Sequence, residues 1–160
     1  MAAAPAAAEA PPRPVEKLRA DYAPVPYTVD AVELKFVLNE ETSTCEAALR
    51  MAPLGAAGAA ARLPLFLDGR ADAKLLSIRV DGAEVPKEHY AVDARGVTLA
   101  PAAIPEAASW ELRLVTELCP QDNSSLEGLY KSGGNFCTQC EAEGFRGIVP
   151  FLDRPDVMAT

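Results

Sequence analysis

Residues 109–120 read SWELRLVTELCP, and polar and apolar side chains alternate through them almost one by one. Trp110, Leu112, Leu114 and Thr116 share one face. A period of two is the mark of a strand with one side buried and the other wet. The same pattern recurs upstream in VDAVELKFVLNEE, residues 29–41, where Val32, Leu34, Phe36 and Leu38 share a face and Glu33 and Lys35 stand between them. Residues 43–53, STCEAALRMAP, fit either a strand or a short helix, because their alanines suit both. Two apolar runs follow, Leu63–Leu67 and Leu75–Val80, each ending in an Asp-Gly pair, Asp68-Gly69 and Asp81-Gly82. Such pairs are turn signals. Residues 89–105 read as a further short hairpin around Arg95-Gly96.

Short strands recurring at about 8–12 residues imply an all-β, mainly antiparallel domain, a sandwich or folded sheet. The buried side chains expected from the pattern include Leu34, Phe36, Leu65, Leu67, Leu76, Ile78, Leu112 and Leu114. No long amphipathic helix and no internal repeat is legible. After Pro120 the character changes: residues 121–160 are rich in turns, carry five glycines and sustain no period. Long irregular segments attached to a compact domain are usually functional.

Composition bounds the rest. A chain of 160 residues suits one domain, large enough to bury roughly 68–70% of its unfolded surface. A net charge of −8 argues against a nucleic-acid partner. No run of 18 apolar residues is present to span a membrane. Four cysteines are too few for a disulfide scaffold, so a reducing, cytoplasmic setting is the expectation, with an organelle not excluded. The sequon Asn123-Ser124-Ser125 would matter only in a secreted protein. Residues 1–18 open with MAAAPAAAEAPPRP, an Ala/Pro-rich leader expected to be disordered. Its prolines and Glu9 interrupt the apolar stretch of a secretory signal, and one Arg with no Ser does not make a transit peptide.

The densest chemistry lies in NFCTQCEAEGFR, residues 135–146. Cys137-x-x-Cys140 lacks the further ligands of a zinc site, since Cys45 and Cys119 are isolated and His89 is the sole histidine. It also lacks the strand–helix setting of a thioredoxin-type pair. Two reduced structural thiols is the plainer reading. His89 has no nucleophile partner in view, and Asp153, Arg154 and Asp156 suit a turn with an ion pair. Glu141 and Glu143 are two apart; in an extended segment they point one way together with Gln139. A carboxylate beside a carboxamide could grip a cation such as an amine, although a solvated polar face would look the same.

Residues 124–159, SSLEGLYKSGGNFCTQCEAEGFRGIVPFLDRPDVMA, closely resemble a stretch in the N-terminal domain of the aminopeptidase N family of zinc metallopeptidases, its bacterial and plant-type alanyl branch. Upstream, LRADYAPVPYTVDAVELKF is similar to the family's opening, so the resemblance covers the chain from about residue 18 onward. It implies a saddle-shaped N-terminal β-domain over residues 19–160, incomplete at its C-terminal end. It further implies that Glu141 helps bind the free α-amine of a peptide substrate and that Gln139 lines the pocket for the first side chain. The family's zinc ligands, H-E-x-x-H and a downstream Glu, and its G-A-M-E-N motif are not in this sequence. The chain is therefore expected to hold no metal, to perform no catalytic step alone and to act with a catalytic domain of the same polypeptide on peptide N-termini. Gly147, Val149 and Pro150 depart from the family's pattern, Pro150 removing a backbone donor. Phe145, Ile148, Phe151 and Leu152 are expected on an uncovered face that packs on the catalytic domain. A non-enzymatic β-sandwich interaction module, and more remotely a thiol-redox or metal protein, are the rival readings.

Overall fold

The alternating stretch becomes β8, Trp110–Leu118, the centre of a five-stranded sheet. The structure, a computed structural model, describes residue 16, residues 18–54 and residues 62–160. The leader expected over residues 1–18 falls outside these apart from residues 16 and 18. The other strands are β1 (Tyr27–Val37), β2 (Ser43–Pro53), β3 (Leu65–Asp68), β4 (Lys74–Val80), β5 (Ala83–Glu84), β6 (Tyr90–Asp93), β7 (Gly96–Leu99), β9 (Gly128–Ser132) and β10 (Asn135–Gln139). The large sheet runs in the order β1-β2-β8-β4-β5; β3-β7-β6 form a second sheet and β9-β10 a hairpin. Every strand pairing is antiparallel.

Alternation on β8 is complete: Trp110, Leu112, Leu114, Thr116 and Leu118 are buried and the residues between them are not. Leu112 lies opposite Leu49 on β2 and Val80 on β4, and Leu114 opposite Ala47 and Ile78. Leu65, Leu67, Val97 and Leu99 from the smaller sheet meet this face and complete one apolar core. Residues 43–53 are a strand, not a helix. Pairing with β1 on one side and β8 on the other fixes them, overriding what alanine prefers in isolation.

Five of the eight side chains expected inside are there: Leu65, Leu67, Ile78, Leu112 and Leu114. Three differ. Leu76 is 47% exposed because β4 bulges between Leu75 and Ser77, leaving Leu76 as the extra, unpaired residue. Leu34 is exposed and Phe36 only half-buried. Both are paired with buried residues, Ala47 and Cys45, but β1 is an edge strand and bulges at Asp30. The pattern names the face correctly, while the edge position decides how much of it is covered.

Asp81 (φ 47°) and Gly82 (φ 81°) make the expected tight turn between β4 and β5. Asp68-Gly69 instead ends β3, whose partner is β7. Ala94 and Arg95 close the β6–β7 hairpin, with the Asp93 carboxylate accepting from the backbone N–H groups of Arg95 and Gly96. The uncovered face expected of Phe145, Ile148, Phe151 and Leu152 is not found. Ile148, Phe151 and Leu152 are buried, and Phe145 packs edge-on against Phe151 at 4.9 Å. Phe151 exchanges two backbone hydrogen bonds with Asp68, which stitches this segment onto β3 and into the core. No helix among the described residues is long and apolar enough to cross a membrane.

Candidate functional site

The glycine-rich region after Pro120 carries a hairpin that period-counting passes over. Gly133 (φ 57°) and Gly134 (φ 84°) are both left-handed, as a two-residue hairpin turn between β9 and β10 requires. Lys131 pairs with Glu40, and its ammonium lies 5.1 Å from the centre of the Phe136 ring, fixing the hairpin's side. β10 ends at Gln139, and the chain turns back at once. The Gly144 N–H donates to the Cys140 carbonyl at 2.9 Å, and the Glu141–Ala142 peptide is cis. A Cβ on Gly144 would stand 2.5 Å from the Gln139 carbonyl oxygen and 2.9 Å from the Cys140 Cα. Only glycine lets this turn close.

The short 3-10 helix Phe145–Gly147 follows, and three contacts bolt it down. The buried Thr116 hydroxyl on β8 donates to the Ile148 carbonyl at 2.7 Å. Gly147 lies under the Arg70 side chain, where a Cβ would be 3.2 Å from the Arg70 Cδ. Arg146 donates to Asp153 Oδ2 through its backbone N–H (3.1 Å) and its Nε (2.9 Å), to the Asp153 carbonyl through Nη2 (2.9 Å), and to Asp68 Oδ1 through Nη1 (3.3 Å). Burial raises the Asp68 carboxyl above its usual range, and the Arg146 charge opposes that rise. For Arg146, burial pulls the guanidinium down, but the bond to Asp153 and the surrounding carboxylates outweigh it and hold the pKa above its usual value.

The sequence-derived site residues sit on this turn. Gln139 and Glu141 are both exposed, and Gln139 Nε2 donates weakly to the Glu141 backbone carbonyl at 3.4 Å. The Glu141 carboxylate makes no ion pair or hydrogen bond among the described residues. The extended geometry that would align Gln139, Glu141 and Glu143 stops at Gln139, because the Cys140–Gly144 turn breaks it. Glu143 instead directs its Oε2 towards Arg146 Nη1, 3.6 Å away. Both glutamates are exposed, but one leans to a cation and the other faces none.

The remaining candidates separate cleanly. Arg154 and Asp156 form the expected ion pair at 2.7 Å, while Asp153 turns to Arg146. His89 is half-buried in the turn before β6. Cys137 and Cys140 are free thiols, and burial, then the Asp153 charge, raise Cys140 above its usual value. Among the described residues no three His, Cys, Asp or Glu side chains are placed to hold a metal ion, so these residues do not fit a zinc centre. Cys45, on β2 beside Thr116 of β8, is buried, and that burial pushes its thiol from 9.0 up to about 12. That rise leaves far less thiolate than an ordinary cysteine carries, and the thiolate is the reactive form. In the native chain a soluble alkylating reagent is expected to label the exposed Cys119 and spare Cys45 until denaturant is added. Mass spectrometry of timed digests would read this, and early labelling of Cys45 would contradict the packing.

Sequence reading missed Arg146 as an anchor. Its partner Asp68 lies 78 positions earlier, and no local spacing could announce that pair.

Relatives and solved structures decide the family. The chain is 42% identical over 140 residues to aminopeptidase N of Caulobacter vibrioides and 36% identical over 147 residues to that of Escherichia coli, alignments covering 88% and 92% of it. The crystal structure of Legionella pneumophila aminopeptidase A in complex with aspartic acid matches 90% of the chain with a TM-score of 0.77 at 25% identity. The chain belongs to the aminopeptidase N family. Its all-β, antiparallel architecture is that of the family's N-terminal domain. No model of a protein family matches the sequence. The chain spans 15% and 16% of the length of the two aminopeptidase N relatives and 16% of the Legionella chain.

Proposed function

We propose that this domain recognises the free α-amine of a peptide substrate within a zinc-dependent alanyl aminopeptidase whose catalytic centre lies in other residues of such an enzyme. Glu141 takes the ammonium by a charge-assisted hydrogen bond, and Gln139 faces the first side chain. The observation that carries this reading is the division of the two glutamates on one rigid turn: Glu143 leans to Arg146 and Glu141 has no cation of its own. A fixed carboxylate about 4 Å from an ammonium at an effective dielectric of about 20 attracts it by about 4 kcal/mol before desolvation. An enzyme that removes one residue from an N-terminus needs such a group to tell a free amine from an internal peptide bond. The family membership supports the same reading.

The test is a chimera in which this chain replaces the corresponding part of the Caulobacter relative. It is expected to hydrolyse alanyl anilides and to leave the N-acetylated substrate intact. Equal hydrolysis of both would sink amine recognition.

The 160-residue chain by itself is expected to release nothing from alanyl anilides. It should retain less than about a tenth of an equivalent of zinc after dialysis, since a catalytic zinc needs three protein ligands. Metal analysis and a chromogenic assay on the purified chain read both. Zinc-dependent hydrolysis by it would contradict the assignment.

A further inference from the structure

Arg146 is the best-anchored charge near the candidate site, and the amine-recognition reading gives it no task. Its backbone N–H, Nε and Nη2 are committed to Asp153, and Nη1 reaches Asp68 on β3. The guanidinium plane is therefore fixed by the body of the domain, not by the turn that carries the glutamates. The same Nη1 stands 3.6 Å from the Glu143 carboxylate. The turn has little freedom to escape that charge. Gly144 closes it onto Cys140, and the backbone of Gly144 is packed against Gln139 and Cys140 with no room for a Cβ.

Resting on the amine-recognition reading, we propose that Arg146 is a positioning residue that selects which glutamate meets the substrate amine. A rigid cation beside the turn draws Glu143 and leaves Glu141 as the one carboxylate of the two without a cation. Without it, two carboxylates two residues apart would compete for one ammonium, and an amine held by Glu143 would be displaced from the productive position. A misplacement of this kind lowers the turnover of bound substrate. Arg146 need not touch the substrate to do this; it acts through Glu143.

The chimera with the Caulobacter relative provides the test, with KM and kcat measured on an alanyl anilide for the parent and for E141A, E143Q, R146K, R146M and the E143Q/R146M pair. R146M is expected to lower kcat by up to about fivefold with KM falling alongside it, the mark of an amine held nonproductively, and R146K less, because lysine keeps the charge but not the planar fork. E143Q alone should stay within about twofold, and in the E143Q background R146M should likewise change kcat and KM by no more than about twofold, a non-additivity that a merely structural role would not produce. Should R146M fail to fold by circular dichroism, R146K and E143Q/R146K carry the same comparison. Additive losses in the two backgrounds, or no change of KM in any Arg146 variant, would overturn the proposal. If E141A reduces kcat/KM while the Arg146 variants are silent, only the positioning role falls. If E141A is itself silent, amine recognition by this turn fails and the positioning role with it.

Discussion

In the chimeric aminopeptidase, Glu141→Ala is expected to lower kcat/KM by roughly 30- to several-thousand-fold, with binding and turnover weakened together. The range follows from removing one partner of a desolvated charge pair, which costs about 2–5 kcal/mol, much of it the penalty on the ammonium left without a counter-charge. Glu141 reaches solvent here with no competing cation, so nothing within the domain would take over its role. Glu143→Ala should cost far less. Glu143 is 69% exposed and its approach to Arg146 is a surface ion pair, worth about 0–1 kcal/mol. Steady-state kinetics on an alanyl substrate would separate the two variants. Equal losses would mean that the two carboxylates have been given each other's roles.

The second large effect concerns the fold. Leu112→Ala is expected to destabilise the domain by about 2–5 kcal/mol, the usual range for emptying a fully packed leucine site. Leu112 is 0% exposed at the centre of β8, between Leu49 and Val80, with the smaller sheet closing the core above it. At about 3 °C per kcal/mol for a chain of this size, the melting midpoint should fall by roughly 6–15 °C. Leu76→Ala, on the exposed bulge of β4, should stay within about 0.5 kcal/mol. Thermal melts of the two variants side by side would read the difference. A Leu76 variant as unstable as the Leu112 variant would contradict the bulge and the face it assigns to Leu76.

That pair also shows what a sequence of this kind discloses. Leu112 and Leu114 are legible because β8 is paired on both edges and never slips, so a period of two maps directly onto burial. Leu76 is misread because one inserted residue moves it off the face that its neighbours define, and no local chemistry marks the bulge. Leu34 fails differently: the alternation is right, but the coverage of an edge strand depends on what lies beyond it in space. Phe145, Ile148, Phe151 and Leu152 have no period at all. They enter the core through long-range contacts, Phe151 bridging to Asp68 more than 80 positions earlier and the Ile148 carbonyl accepting from Thr116 on β8. At the site, residue chemistry and family resemblance point to Gln139 and Glu141. The lean of Glu143 towards Arg146 is not legible, because it depends on Arg146 being held by Asp68 and Asp153.

The most direct test is structural: a crystal structure of the chimera with a free amino acid bound at its catalytic centre. A Glu141 carboxylate oxygen is expected within about 3 Å of the ligand's amine nitrogen, with the Gln139 side chain facing the ligand's own side chain and Glu143 still turned to Arg146. An amine held wholly by groups outside residues 139–143, with the Glu141 carboxylate facing solvent, would contradict the assignment of substrate recognition to this domain.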